Sequence, residues 1–396
     1  TYSKRYGFTL KEPVIVELYP DHDDFAVRIA GLPGIGLLGV TFGYLVAMDS
    51  PTGRADDDFH WGTTLWHEMA HVFTLEATNH LVPRWFSEGV SVFEEWSTGP
   101  LPGRHIPLPV LMAIKEGKFL PVAELDRGFI RPTYEEQVIV SYMQAGLICE
   151  YIAGRFGQEA LEGMLVEFGK GRDTPQAIQT ALGISPGQFD ENFAAYVDAQ
   201  LGAVLMQLDA WREKQGELQE TVQGGDWRVV AAKASEAIEL FPDYVDEGSP
   251  YIAKARAHRE LGETGLATTT LLEYRKRGGY DPDALIALAR QLGEAGRTDE
   301  SIDVFEDVLM VAPLRAEVHR DFGDRLAAAS RHREALVEYQ AFLAMNPQDL
   351  AEAHYRLAKT YVTLDDRAKG REHLLYALEI APHYREAQQL LLEVVR

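Results

Sequence analysis

The chain has 396 residues, more than one hydrophobic core usually organises, so two or three domains are expected. Hydrophobic residues make up 46% and charged residues 25%, an ordinary globular balance that excludes wholesale disorder. A net charge of −23 repels phosphate backbones and anionic headgroups, which excludes nucleic acid as a partner and otherwise reads as solubility.

Cys149 is the only cysteine, so an intramolecular disulfide and any cysteine-rich zinc module are excluded. Within Leu147-Ile148-Cys149-Glu150-Tyr151-Ile152 it reads as a small buried hydrophobe. Any metal must then be held by His and carboxylates. No run approaches the roughly 18 apolar residues that span a bilayer, so no integral membrane segment is expected. The chain opens on Thr1 rather than Met and is expected to be trimmed, with a signal segment or an upstream domain missing.

The first elements read as strands. Val14-Ile15-Val16-Glu17-Leu18-Tyr19 and Gly39-Val40-Thr41-Phe42-Gly43-Tyr44-Leu45-Val46 are β-branched and aromatic runs bounded by Pro and Gly. Between them, Gly34-Ile35-Gly36-Leu37-Leu38-Gly39 matches the dinucleotide pattern G-x-G-x-x-G. That motif should open a helix, yet strand-like Val40 to Val46 follows, so a Rossmann reading is rejected. The glycines are expected to turn the chain into a strand bordering a cleft.

Asp56-Asp57-Asp58 offers capping residues for a helix near 59–78, and Pro83 suits the first turn of another near 83–96. The first of these helices carries Leu65-Trp66-His67-Glu68-Met69-Ala70-His71-Val72-Phe73. His67 and His71, four apart, share one helix face, so both imidazoles can reach one zinc ion, with Glu68 beside them to take a proton from its bound water. The pentapeptide alone arises by chance, but its apolar flanks would seat the helix on a core and nothing in it breaks a helix. A catalytic zinc usually has three protein ligands and one open position. Glu88, in Val82-Pro83-Arg84-Trp85-Phe86-Ser87-Glu88-Gly89, is the candidate third ligand, on a second helix that can fold back beside the first.

His67 through Glu95 resembles the gluzincins, the superfamily of thermolysin-like and aminopeptidase-N-like enzymes, and most closely bacterial peptidase MA-like proteins with tetratricopeptide tails. More loosely the resemblance covers residues 10–205. It implies that Glu88 of Trp85-Phe86-Ser87-Glu88-Gly89 ligates zinc. Ligating histidines usually give their second N–H to a carboxylate or carbonyl. Glu95 matches the second acid of aminopeptidase-like members, with Glu94 as competitor and a solvated acidic pair as the alternative to both. Tyr142, in Ser141-Tyr142-Met143-Gln144-Ala145-Gly146, resembles the tyrosine that stabilises the oxyanion, although Ala145 stands where a Gly would be. It also falls on the apolar stripe Val138, Tyr142, Ala145, Cys149, Ile152, where a core aromatic is the competing reading. The resemblance further implies that an edge strand over 40–47, with Phe42, Tyr44 and Val46, pairs with the substrate backbone. Ala47-Met48-Asp49 faintly resembles the segment with which aminopeptidases grip a free N-terminus, with Asp49 where a Glu would be, which weakens an aminopeptidase reading. His22, His60, His80 and His105 form no second ligand cluster and read as surface or capping residues.

From about 107 to 205 the pattern is helical, with short Gly and Pro punctuation. Beyond it lie repeats: Pro313, Pro347 and Pro382 are spaced 34 and 35 apart, each ending an amphipathic helix. Aligned on those prolines, Leu288-Ala289, Phe322-Gly323 and Leu357-Ala358 coincide. So do Leu292, Leu326 and Tyr361; Ser301, Ala335 and Gly370; and Phe305, Tyr339 and Leu374. The pattern resembles the tetratricopeptide repeat, with weaker copies over about 248–279, turning at Leu261-Gly262, and ending at Phe241-Pro242.

The fold expected is therefore an α+β thermolysin- or aminopeptidase-like metallopeptidase domain over 1–106. A helical subdomain over 107–210 completes its cleft, and an all-α tetratricopeptide solenoid occupies 211–396. The function expected is that of a metallopeptidase with one Zn2+ per chain, acting on a peptide or protein, with a protein partner on the repeats and an extracytoplasmic bacterial setting. Two rivals stand beside it: a repeat scaffold with a vestigial or structural zinc site, and a zinc hydrolase of non-peptide substrates.

Overall fold

The computed structural model describes the chain except for residues 34, 35, 55–58, 102, 105 and 396. The capping aspartates expected at 56–58, the first two residues of the glycine-rich segment and His105 lie outside the described residues. Contacts divide the chain into two units. One comprises Thr1–Ala55, His60–Glu263 and Glu273–Gly279; the main segments of the other are Thr264–Leu272 and Tyr280–Arg396.

The first unit opens with a short helix, α1 (Tyr2–Arg5), and strand β1 (Ile15–Tyr19). Helix α2 (His22–Ala30) follows, capped by Asp21, whose side chain accepts from the Asp24 amide, and ended by Gly31 in the left-handed region. The run expected as one strand over 39–46 is two, β2 (Gly39–Phe42) and β3 (Leu45–Asp49). Gly43 adopts φ +58°, a conformation that closes a two-residue hairpin between Phe42 and Leu45. Sheet order is β1-β3-β2, with β1 parallel and β2 antiparallel to β3.

This topology corrects the expected edge strand. Val46 lies in the central strand, between Val16 and Thr41, and is fully buried. Tyr44 sits in the turn, where its hydroxyl accepts from the Lys11 amide at 3.1 Å. Only Phe42 of the three belongs to the edge strand β2. Because the Asp49 amide bonds the Leu38 carbonyl, strict alternation turns the backbone groups of Val40 and Phe42 toward β3 and those of Gly39 and Thr41 outward.

Helix α3 (Trp61–Ala77) packs against β2 and β3. Its cap is His60, whose ring nitrogen accepts from the Thr63 amide at 3.0 Å. Asn79 and His80, at φ +51° and +63°, then turn the chain into α4 (Arg84–Thr98), and the Trp85 amide at its start donates to Asp126 at 2.8 Å. Four short helices and two long ones complete the region: α5 (Leu108–Lys115), α6 (Asp126–Ile130), α7 (Gln137–Phe156), α8 (Gln158–Gly169), α9 (Thr174–Leu182) and the 39-residue α10 (Pro186–Gly224). One hydrophobic core runs from Tyr2 through Trp85, Ile148 and Phe189 to Phe241. The boundary expected at 106/107 therefore crosses a single core, and the one at 210/211 falls inside α10.

Helices α11 (Trp227–Leu240) and α12 (Pro250–Glu260) follow, and the division between the units falls within α13 (Thr264–Lys276). The second unit pairs α14 (Pro282–Glu294) with α15 (Thr298–Val311), α16 (Ala316–Ala328) with α17 (His332–Ala344), and α18 (Leu350–Thr363) with α19 (Arg367–Ile380); α20 (Arg385–Val395) ends it. Each pair turns at a left-handed residue, Gly296, Ser330 and Asp365, which repeats the spacing of the prolines. Small residues at the aligned repeat positions let the paired helices approach closely. Ser301 donates to the Ala289 carbonyl at 2.6 Å, and a Cβ on Gly323 would stand 2.5 Å from the Tyr339 ring. Among the described residues no helix is long and apolar enough to cross a membrane.

The packing that fixes α4 is its approach to α7. A Cβ on Gly89 would lie 2.6 Å from the Ala145 carbonyl oxygen and 2.9 Å from the sulfur of Cys149, which is buried as expected. Gly89→Ala should therefore push the two helices apart and destabilise the first unit by about 1–3 kcal/mol, read as a lowered midpoint in thermal or urea unfolding. An unchanged midpoint would show that the contact is slack.

Candidate metal centre

His67 and His71, one turn apart on α3, and Glu88, from the first turns of α4, bring three ligand-type atoms together. Their distances are 3.1 Å between the two Nε2 atoms, 3.3 Å from His67 Nε2 to Glu88 Oε2, and 3.1 Å from His71 Nε2 to the same oxygen. A tetrahedral metal with bonds of about 2.0–2.2 Å needs ligand atoms roughly 3.3–3.6 Å apart, so the triangle fits a cation at its apex with little movement. Among the described residues this is the only group of three or more His, Cys, Asp or Glu so arranged.

Both rings are oriented from behind. His67 Nδ1 meets Glu95 Oε1 in a very short contact, while His71 Nδ1 pairs with Ser87 Oγ at 2.8 Å, and Ser87 with Thr74 at 2.6 Å. Partners on both Nδ1 atoms turn the two Nε2 atoms toward the shared point, where their lone pairs are available once deprotonated. Of the two competing acids, the structure pairs Glu95 with His67. Glu94 is fully buried elsewhere, accepting from Arg5 Nε at 2.7 Å, Tyr6 at 2.6 Å and Thr98 at 2.5 Å.

Glu88 divides its carboxylate. Oε2 faces the imidazoles, while Oε1 accepts from Arg84 Nε at 3.2 Å and from the Tyr142 hydroxyl at 3.1 Å. Tyr142 thus turns its oxygen toward the site, and its ring packs edge-on against Phe129 at 5.1 Å. Burial, reinforced by the Glu88 charge, pushes its pKa up, so the hydroxyl remains a donor. Glu68 is buried and accepts from Thr41 Oγ1 through Oε2 at 2.6 Å. A Cβ on Gly39 would stand 2.8 Å from both Cγ and Oε1 of Glu68, so the edge strand must be bare at that point.

His67, Glu68, His71, Arg84, Ser87, Glu88 and Tyr142 line one cavity of about 420 Å³, walled on one side by Gly39, Val40 and Thr41. Phe42, Tyr44 and Val46 do not line it. Asp49 is also outside it: buried at the end of β3, it takes the Nε of Arg54 at 2.7 Å and pairs with His22 at 2.9 Å. His80 pairs with Glu76 at 3.4 Å. Thr41, Ser87 and Arg84 were not singled out by sequence reasoning. Hydroxyl residues carry no periodic signal, and Arg84 reads as an ordinary helix-start residue.

Burial disfavours an imidazolium at His67, but its bonds to Glu88 and Glu95 and the charges of Glu95 and Glu68 outweigh that and hold its pKa well above 6.5. Burial likewise works against the Glu88 carboxylate, and the two histidines outweigh it, holding its pKa well below the ordinary range. The site is built to contain positive charge, as a proton or a metal.

Residues 3–199 match the model of the Peptidase MA superfamily. No curated protein sequence matches the chain. Among solved structures, it is similar to YrrB, described as a TPR protein with an unusual peptide-binding site, at 19% identity over 44% of this chain and 89% of that one, TM-score 0.39. It is also similar to MamA 41-end from Desulfovibrio magneticus RS-1, at 24% identity over 36% and 81%, TM-score 0.33. A third is a thermophilic TPR protein in Thermus thermophilus, at 16% identity over 47% and 98%, TM-score 0.28. The repeat architecture rests on the spacing and packing given above rather than on these overlays.

In metal-free protein His67 should stay protonated to a pH well above 6.5, and Glu95→Gln should lower its midpoint, both read by NMR titration of the imidazole. Because folding raises this pKa, the proton's contribution to stability is complete below the unfolded value and is lost as pH rises through the folded one. A midpoint at or below 6.5 would contradict the charge balance described.

Proposed function

Starting from a Peptidase MA superfamily domain at residues 3–199, followed by tetratricopeptide repeats, we propose that this protein is a zinc-dependent metallopeptidase. The observation that carries the reading is the triangle of His67 Nε2, His71 Nε2 and Glu88 Oε2, with sides of 3.1–3.3 Å, opening on a cavity that also holds Glu68. Those three residues would hold one zinc ion. When bound, zinc supplies Lewis-acid polarisation of a carbonyl and makes water acidic enough to serve as a nucleophile near neutral pH.

The chain's own residues divide the remaining work. Thr41 holds Glu68 by Oε2, so Oε1 is the atom that takes the proton of the attacking water and later gives it to the leaving amine. Tyr142, kept protonated by burial, donates to the oxygen that gains charge in the transition state. The outward backbone groups of Gly39 and Thr41 give an extended substrate a strand to pair with. Glu95 and Ser87 keep the imidazoles aimed. The repeats recruit or position a protein, since solenoids present extended binding surfaces.

Glu68→Gln should retain zinc at wild-type stoichiometry and lose about 10²–10⁴-fold in turnover of a peptide library, measured by metal analysis beside a cleavage assay. Zinc retained with unimpaired cleavage would overturn the role given to Glu68; zinc bound with no cleavage of any peptide by wild type would overturn the peptidase. Zinc affinity should also weaken as pH falls, because His67 must release the proton that Glu88 and Glu95 favour, and chelator competition at pH 6 and pH 8 measures this.

A further inference from the structure

Among the described residues, Arg84 is the only side chain of fixed positive charge lining the cavity. Its Nε is taken by Glu88 Oε1 at 3.2 Å, and the guanidinium also interacts with the Tyr142 oxygen. The guanidinium carbon lies 5.4 Å from the Phe129 ring centroid, which gives the planar group an aromatic backing. Yet the Arg84 side chain is 46% exposed where Glu88 is 8% exposed. A guanidinium has five N–H donors in a rigid fork, so bonding Glu88 through Nε still leaves its outer edge able to meet a planar acceptor.

Charge points the same way. Two carboxylates, Glu68 and Glu88, stand with one guanidinium in the cavity lining, and a divalent cation held by neutral imidazoles would leave it with a positive excess. That cation would also draw on the Glu88 charge through Oε2, leaving Arg84 less fully neutralised through Oε1. A chain of net charge −23 otherwise repels anions, so the loaded cavity is a local place for one to bind. Leu37, Val40, Leu75 and Val82 supply the apolar part of the wall.

Resting on the metallopeptidase reading, we propose that Arg84 anchors a carboxylate of the substrate beside the scissile bond, making this cavity selective for anionic peptides. Two sources present that chemistry, the C-terminal carboxylate of a short peptide and an acidic side chain. Arg84 is a specificity-determining residue: its outer N–H groups take the carboxylate in a charge-assisted pair, and its Nε keeps Glu88 in place.

The test uses zinc-loaded protein and matched peptides that differ in one group: free C-terminal acid against amide, and internal Glu against Gln. Wild type should favour the carboxylate in one of these pairs by about tenfold or more in kcat/KM, carried by KM, and the responding pair identifies the source. Arg84→Gln should bring that preference within about twofold, while Arg84→Lys, which keeps the charge without the fork, should retain part of it. The same comparison is made by calorimetric binding to zinc-loaded Glu68→Gln, where no cleavage is required. Indifference of wild type to both pairs, or a preference that survives Arg84→Gln with zinc retained, overturns the anchor. Cleavage with such indifference leaves the peptidase standing and removes the anchor; a carboxylate preference in binding, abolished by Arg84→Gln, without cleavage by wild type, does the reverse.

Discussion

Where Glu88 points is decided by the contact of its neighbour. Gly89 lets α4 lie so close to α7 that a single added carbon would meet the Ala145 carbonyl at 2.6 Å. Residues from Trp85 to Glu94 are buried without interruption, so α4 has almost no exposed face on which to rotate. Its first turn is fixed by the bond from the Trp85 amide to Asp126. With rotation and start both set, Glu88 faces α3, and the two imidazoles complete the triangle. A glutamate on a surface helix would pay for such a geometry in rotamer entropy; here the packed helix has already imposed it.

The same packing creates an electrostatic obligation. Glu68, Glu88 and Glu94 are all buried, and a buried carboxylate is tolerable only with close partners. Each obtains them differently. Glu94 is compensated wholly within the fold, by Arg5, Tyr6 and Thr98. Glu88 leans on Arg84 and Tyr142 with one oxygen and offers the other to the imidazoles. Glu68 has Thr41 on one oxygen and turns the other toward the cavity beside Gly39. Glu94, the fully paired one, does not line the cavity, whereas Glu68 and Glu88 do.

Much of this was legible in the sequence, and the limits are physical. The four-residue spacing of His67 and His71 fixes their common face through helix geometry alone, and the 34–35-residue proline spacing marked the repeats, which fold as helix pairs turning at Gly296, Ser330 and Asp365. The β-branched run over 39–46 concealed a hairpin, because Gly43 adds only one glycine to an otherwise unbroken strand pattern. That single turn moves Val46 from an edge to the sheet centre. The boundaries expected at 106/107 and 210/211 fall within one hydrophobic core and within α10, a continuity that forms only when distant segments pack together. Thr41 and Ser87 acquire meaning only when β2 and α4 are folded against α3.

Glu94 and Glu95 show why adjacency in sequence could not settle a role. Consecutive residues on a helix are about 100° apart, so two neighbouring glutamates look into different surroundings. At this point of α4 one direction meets α1, with Arg5 and Tyr6, and the other meets His67 on α3. Chemistry alike at the level of side chains is thus separated by a third of a turn. Glu94 ties the first residues of the chain to the back of the helix whose front holds Glu88. The segment Tyr2–Tyr6, far from the cavity in sequence, is part of what keeps α4 in register with the imidazoles.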